Sequence, residues 1–211
     1  MDYQSIKITT KSKSISIHHG FRNRENWKQI ERGYEFEAAI LYPSDTKRPL
    51  SFFIPNKNNP LEGKIVDQIG NFSPEIIEGR PRAREQQVVV TIKPRKVIIV
   101  TNNIINQNEE FEYILIAPIN TIKLSEKSKD WYEKLIYDEH PIFTYIPKGN
   151  IERYVDLSQI MTIHKSLLLT KYDKIPDERM ELIDENLLQC LSLGIIKEEA
   201  ENIIKNQNIE I

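Results

Sequence analysis

Between Gln86 and Thr101 the chain carries two β-branched runs, Gln86-Gln87-Val88-Val89-Val90-Thr91-Ile92 and Lys96-Val97-Ile98-Ile99-Val100-Thr101. Valine and isoleucine lose side-chain freedom in a helix and pack well on a pleated surface, so both runs read as strands. Their apolar residues fill consecutive positions rather than alternate ones, which predicts strands covered on both faces. Lys93-Pro94-Arg95 separates the runs and reads as a hairpin turn, where proline removes no ladder donor. A chain holding such a pair must build a sheet and then cover it.

Further strands are expected at Tyr34–Tyr42, Leu50–Ile54, Glu112–Ala117 (ended by Pro118), Ile142–Ile146 and Tyr154–Ile163. Asn56-Lys57-Asn58-Asn59-Pro60 and Asn102 to Asn108 read as polar loops, and Ser125–Tyr137 as a helix. The clearest helix follows Pro176: Asp177 caps it, Glu178 sits in its positive first turn, and Met180, Ile183, Leu187 and Leu191 form an apolar stripe. Gly194 is the expected stop, and Ile196, Ala200, Ile203 and Ile204 mark a second short amphipathic helix. Many short strands followed by one packing helix predict an α+β fold with a small barrel-like antiparallel sheet.

The net charge of −2 conceals an asymmetry, with +6 in residues 1–100 and −8 in the remainder. Arg80, Arg82, Arg84, Lys93, Arg95 and Lys96 form a basic stripe whose only acid is Glu85. A stripe of this kind can steer a polyanion into one place, while the acidic balance argues against a general nucleic-acid coat. The single Cys190 excludes a disulfide framework and a cysteine-built zinc site. Neither a membrane-spanning apolar run nor a signal-peptide core is present, so a cytoplasmic protein is expected, without membrane association.

Arg95-Lys96-Val97-Ile98-Ile99-Val100-Thr101-Asn102-Asn103, Ile114-Leu115-Ile116-Ala117-Pro118-Ile119-Asn120 and Tyr154-Val155-Asp156-Leu157-Ser158-Gln159-Ile160-Met161-Thr162-Ile163, followed by the Asp177–Leu191 helix, resemble the PemK/MazF family of toxin endoribonucleases. The resemblance spans roughly residues 85–194. It implies an SH3-like or barrel-like sheet with a C-terminal helix, a homodimer, and a cognate antitoxin as partner. It also implies metal-free and cofactor-free cleavage of single-stranded RNA, leaving a 2′,3′-cyclic phosphate. The family's Arg-Pro order is reversed in Pro94-Arg95, its threonine position falls on Asn120 with Thr121 next, and Met161 stands where arginine is frequent. On this basis residues 1–32 are an N-terminal extension, 33–194 the PemK/MazF-like domain with 43–81 inserted, and 195–211 a short helix or tail.

Such cleavage needs a base for the 2′-hydroxyl proton, an acid for the leaving 5′-oxygen, and cationic donors for the phosphorane. Arg95 suits the last role because guanidinium offers a fixed fork to phosphate oxygens. Thr121 or Asn120 can donate at the same centre, and Glu85 can act as base or orient Arg95. Arg80, Arg82, Arg84, Gln86, Lys93 and Lys96 are the expected RNA-binding set. His140 is a possible proton shuttle, and Tyr34, Tyr42, Phe52 and Phe53 are either stacking platforms or core. Cys190 reads as core, and adjacent His18-His19 lacks a ligand partner at metal spacing. A reading from a different class is a PemK/MazF-fold module that binds nucleic acid or protein without cleaving; a segment covering the groove is a third.

Overall fold

The computed structural model describes residues 5–7, 20–41, 51–67 and 71–193. His18-His19, Tyr42, Gly194 and the expected helix over Ile196–Ile204 lie outside the described residues. The strands are β1 (Ser5–Lys7), β2 (Tyr34–Leu41), β3 (Ser51–Asn56), β4 (Asn59–Asp67), β5 (Glu75–Ile77), β6 (Arg80–Arg82), β7 (Val88–Val89), β8 (Ile92–Ile99), β9 (Tyr113–Thr121), β10 (Phe143–Tyr145), β11 (Arg153–Asp156), β12 (Met161–His164) and β13 (Leu168–Lys174). The helices are α1 (Asn103–Gln107), α2 (Asp130–Ile136) and α3 (Asp177–Cys190). Among the described residues no helix is long and apolar enough to cross a membrane.

Contacts divide the chain into two compact units: Met1–Ser16 with Leu41–Lys93, and Ile17–Ile40 with Pro94–Ile211. This division falls elsewhere than the boundaries expected at residues 32, 43–81 and 194. Phe21, Trp27 and Ile30, placed in an extension by the sequence reading, are buried in the core of the second unit.

The first unit contains an antiparallel sheet in the order β1-β4-β3-β7 and a separate β5–β6 hairpin. Glu78 and Gly79 join that hairpin with φ of 53° and 73°, the left-handed pair that two-residue hairpin turns require. The expected loop Asn56–Pro60 is the tip of the β3–β4 hairpin. Gly63 in β4 lies so close to β3 that a Cβ there would sit 2.3 Å from the Ile54 carbonyl oxygen. Phe52 is buried, so here it is core rather than a stacking platform.

The sheet of the second unit runs β10-β11-β9-β8-β2-β13, with β12 also pairing β9. Consecutive residues of β8 and β9 enter opposite cores. Val97, Ile99, Ile114 and Ile116 join Phe36, Ala38, Trp27 and Leu168 on one face. Ile98, Val100, Ala117 and Ile119 join Val155, Leu157, Met180 and Ile183 on the other, where α3 packs. Two-sided burial is therefore realised for Val97–Val100. Aromatic α2 and β10–β11 residues form a third cluster around Leu135 and Tyr154. At the other end of the sheet, fully buried Lys165 donates to the carbonyls of Ile105 (2.9 Å) and Asn108 (2.8 Å), clamping the α1 loop, with Trp27 beneath its ammonium.

Several local expectations are corrected. Pro94 lies inside β8 rather than in a turn, and β7 pairs β3 instead of β8, leaving Val88 to Val90 exposed. Pro118 does not end β9. The Leu115 carbonyl accepts from Val100 N–H, so alternation turns the missing donor of Pro118 toward the opposite edge. That edge pairs with β12 up to Ile116 and with β11 from Ile119, and Pro118 falls in the gap. The single strand expected over Tyr154–Ile163 is broken by a 3-10 turn at Leu157–Gln159, where the Asp156 carboxylate accepts from Ser158 N–H at 3.0 Å. Only Asp130–Ile136 of the Ser125–Tyr137 segment is α-helical, and the Asn102–Asn108 loop contains α1, capped by the Asn102 side chain. Pro176 is the cap residue of α3, Asp177 being its first helical residue. Ser192, at φ 57°, ends α3 before Gly194 is reached.

Candidate active site

The β8–β9 ladder pairs Ile99 with Ile116, Ile98 with Ala117 and Val97 with Pro118. Both strands continue past that pair, with Arg95 two residues before Val97 in β8 and Asn120 two residues after Pro118 in β9. Level residues of an antiparallel pair share a face. Arg95 and Asn120, both half-buried, thus fall on the face of Val97, Ile99 and Ile116. On its other edge Asn120 pairs with Tyr154. Burial raises the Tyr154 phenol above its ordinary pKa, so it stays neutral. Its ring packs on Phe143 at 4.8 Å and Trp131 at 5.6 Å.

Tyr145 faces Tyr154 across β10–β11, and both its hydroxyl (3.5 Å) and that of Tyr132 (2.7 Å) donate to Glu152. Glu152 also pairs with Lys127, and these donors, Lys127 first, hold its carboxyl below the usual range. The expectation missed this cluster because its members come from α2, β10 and the approach to β11. An aromatic residue every few positions, Tyr132, Phe143, Tyr145 and Tyr154, was the available signal.

Thr121 is exposed and pairs with Arg153, on the face opposite to Asn120. Arg153 reaches Glu35 through hydrogen bonds of 2.7 and 3.0 Å. A cavity of about 200 Å³ adjoins that pair, lined also by Lys148, Asp173, Lys174 and Arg179. Lys96 belongs to the second unit too, its ammonium 2.7 Å from the centre of the Tyr172 ring.

Arg80, Arg82, Arg84, Glu85, Gln86 and Lys93 belong to the first unit, so the basic stripe is divided between the units. Arg80 and Arg82 project from the exposed β5–β6 hairpin, and Arg82 pairs across it with Glu75. Arg84 and Gln86 are half-buried, with Gln86 donating to the Asn71 carbonyl at 3.3 Å, while Glu85 and Lys93 are exposed.

His140 stacks on Phe143 at 4.3 Å, and its Nδ1 accepts from the Ile142 and Phe143 backbone amides at 3.2 and 3.0 Å. Burial lowers its pKa. These contacts make it a structural cap, not the proton shuttle considered from sequence. Cys190, expected in the core, is exposed at the rim of a groove. Among the described residues no three of His, Cys, Asp and Glu gather as a metal-ligand set.

No curated protein matches the chain. It is similar to a solved endoribonuclease, in complex with its cognate antitoxin, from Mycobacterial species: 13% identical, covering 78% of this chain and 96% of that one, with a TM-score of 0.42. The family described as the PemK-like, MazF-like toxin of type II toxin-antitoxin system matches residues 81–191, more than half of the sequence. That span runs from β6 to the residue after α3 and includes Arg95, Asn120 and Tyr154, and the chain belongs to this toxin family.

Proposed function

We propose that this toxin is an endoribonuclease that cleaves single-stranded RNA without a metal, acting in the cytoplasm as a homodimer restrained by a cognate antitoxin. Family membership supports the toxin role, and the solved relative is an endoribonuclease held by its antitoxin. What supports the catalytic reading is that alternation along β8 and β9 puts Arg95 and Asn120 on one face, each two residues beyond the paired Val97 and Pro118. In the reaction a base removes the 2′-hydroxyl proton and O2′ attacks the adjacent phosphorus. The P–O5′ bond then breaks, and the leaving 5′-oxygen takes up a proton. Arg95 donates to the phosphorane oxygens, and the Asn120 amide donates at the same centre. Glu85 is the proposed base. Arg80, Arg82, Arg84, Gln86, Lys93 and Lys96 hold the RNA backbone, and Thr121, on the opposite face of β9, is the alternative donor.

A second reading, a module that binds RNA or protein without cutting, is favoured by the amide of Asn120 standing where the family resemblance expects a threonine hydroxyl. Purified protein incubated in EDTA with mixed-sequence single-stranded RNA separates the two. Cleavage predicts discrete cuts bearing 2′,3′-cyclic phosphates that vanish in Arg95→Ala while the fold survives. RNA retained on the protein but left intact favours the binding module.

A further inference from the structure

The sheet of the first unit ends in an apolar edge. In the order β1-β4-β3-β7 the strand β7 stands last among the described residues, and β3 pairs with it at Ser51–Val89 and Phe52–Val88. Val88, Val89 and Val90 are 42, 44 and 45% exposed. Edge strands are ordinarily guarded by a lysine, a proline or a bulge, because their outward N–H and C=O groups are a template for another strand. Here three valines stand in succession, and the nearest lysine and proline are Lys93 and Pro94.

The bonds already made show which groups face outward. The Gln87 carbonyl accepts from Phe53 N–H at 2.8 Å, so Gln87 turns its backbone toward β3. Alternation turns Val89 the same way and sends the N–H and C=O groups of Val88 and Val90 outward. A strand added to this edge must therefore bond Val88 and Val90.

A second copy of the same strand does so in one step. Laid antiparallel about a two-fold axis at Val89, Val88 meets Val90 of the partner subunit as a hydrogen-bonded pair, and the two Val89 residues meet as a non-hydrogen-bonded pair. The flanking sequence is complementary under the same axis. Glu85 lies four residues before Val89 and Lys93 four after it, and both are exposed. Each Glu85 thus falls opposite Lys93 of the partner subunit, giving two cross-strand pairs of opposite charge. Val88 and Val90, on the other face by alternation, bring the exposed valines of both copies together.

We infer that a second copy of this chain adds its β7 to this edge, joining two four-stranded sheets into one across a two-fold axis. The inference rests on the homodimer proposed above and gives it a contact in the first unit. A Glu85 paired in this way stays ionised, the state its role as base requires.

With Cys190 replaced by Ser, Val89→Cys places one thiol from each copy at the axis. A non-hydrogen-bonded antiparallel pair sets its Cα atoms about 4.5 Å apart, within reach of a disulfide. Mild oxidation of the full-length protein then yields a disulfide-linked dimer. Leu61→Cys, 53% exposed near the tip of the β3–β4 hairpin, yields much less. Adding Glu85→Lys to Val89→Cys slows the cross-link about fivefold, since both pairs become like-charged, and adding Lys93→Glu as well restores the rate. Cross-linking of Val89→Cys no faster than that of Leu61→Cys, or a charge swap that restores nothing, overturns the assignment. If the protein then still sediments as a dimer, the homodimer stands and this contact falls; sedimentation as a monomer removes both.

Discussion

Replacing Glu35 by Gln, with Arg153 left in place, tests how the second unit is held in its curl. The sheet order β11-β9-β8-β2 separates Arg153 from Glu35 by three strand intervals. In a flat sheet three intervals span about 14 Å. The side chains nevertheless meet at 2.7 Å, 11% and 4% exposed, so the sheet bends until its strands face each other across the pair. Glu35 accepts from both terminal nitrogens of Arg153, whose Nε is buried without a partner. Neutralising Glu35 therefore leaves a guanidinium in a dry site with its two best acceptors weakened. Removing one member of a buried pair costs about 3–5 kcal/mol. For a protein of this size the corresponding fall in Tm is about 6–20 °C. Thermal unfolding followed by the fluorescence of Trp27 and Trp131, both in the second unit, measures it directly. The double replacement Glu35→Leu with Arg153→Met recovers most of the loss, because apolar residues of similar volume substitute well for a buried pair. A single-variant loss below about 1 kcal/mol, the value of an exposed pair, would refute the argument. So would a double variant as unstable as the sum of the singles.

His140 carries a pH prediction. Burial holds its pKa below the ordinary value near 6.5, so the unfolded chain takes up the proton first. Stability present above about pH 6.5 is lost as pH falls toward the lowered folded value, and His140→Asn, which keeps an acceptor and cannot titrate, flattens that slope in urea titrations between about pH 7 and 5. Gly63→Ala drives a Cβ into the Ile54 carbonyl and the Phe53 ring. It costs about 1–3 kcal/mol, seen as lost hydrogen-exchange protection in β3 and β4 with α3 unchanged. For RNA cleavage, Asn120→Ala lowers kcat by about 10²–10³; Thr121→Ala has a smaller effect, and parity between the two would move the donor to Thr121.

The helix α3 was legible because a 3.6-residue period and an acidic first turn are local properties, written in Asp177, Glu178, Met180 and Ile183. Val97 to Val100 was legible for a similar reason, since four apolar residues in succession need two covers. Val88 to Val90 reads the same way yet forms an exposed edge, because burial depends on what arrives from elsewhere in the chain. The prolines misled for a related reason. A missing donor ends a strand only where a neighbour requires it, and the edge facing Pro118 has none between β12 and β11. The strand β13, Leu-Leu-Thr-Lys-Tyr-Asp-Lys, is polar in pattern and is recruited by pairing with β2. Glu35 and Arg153 lie 118 residues apart, a separation that no local pattern reports.

Asn120 and Thr121, side by side in the sequence, stand on opposite faces of β9. Side chains alternate along a strand, so one residue of slip exchanges one face for the other. The ladders on both edges of β9 fix the phase: Ile99 to Val97 step against Ile116 to Pro118, and Arg153 to Val155 step against Thr121 to Ile119. With both edges paired, β9 cannot rotate Thr121 into the place of Asn120 without breaking one ladder and exposing Ile119, which is buried against Val155 and Ile183. Where the family resemblance expects a threonine hydroxyl, this strand therefore presents an amide. The hydroxyl one residue later faces the Arg153 side. An amide is longer than a hydroxyl, and Asn120 presents it beside Tyr154, whose ring packs on Phe143 and Trp131.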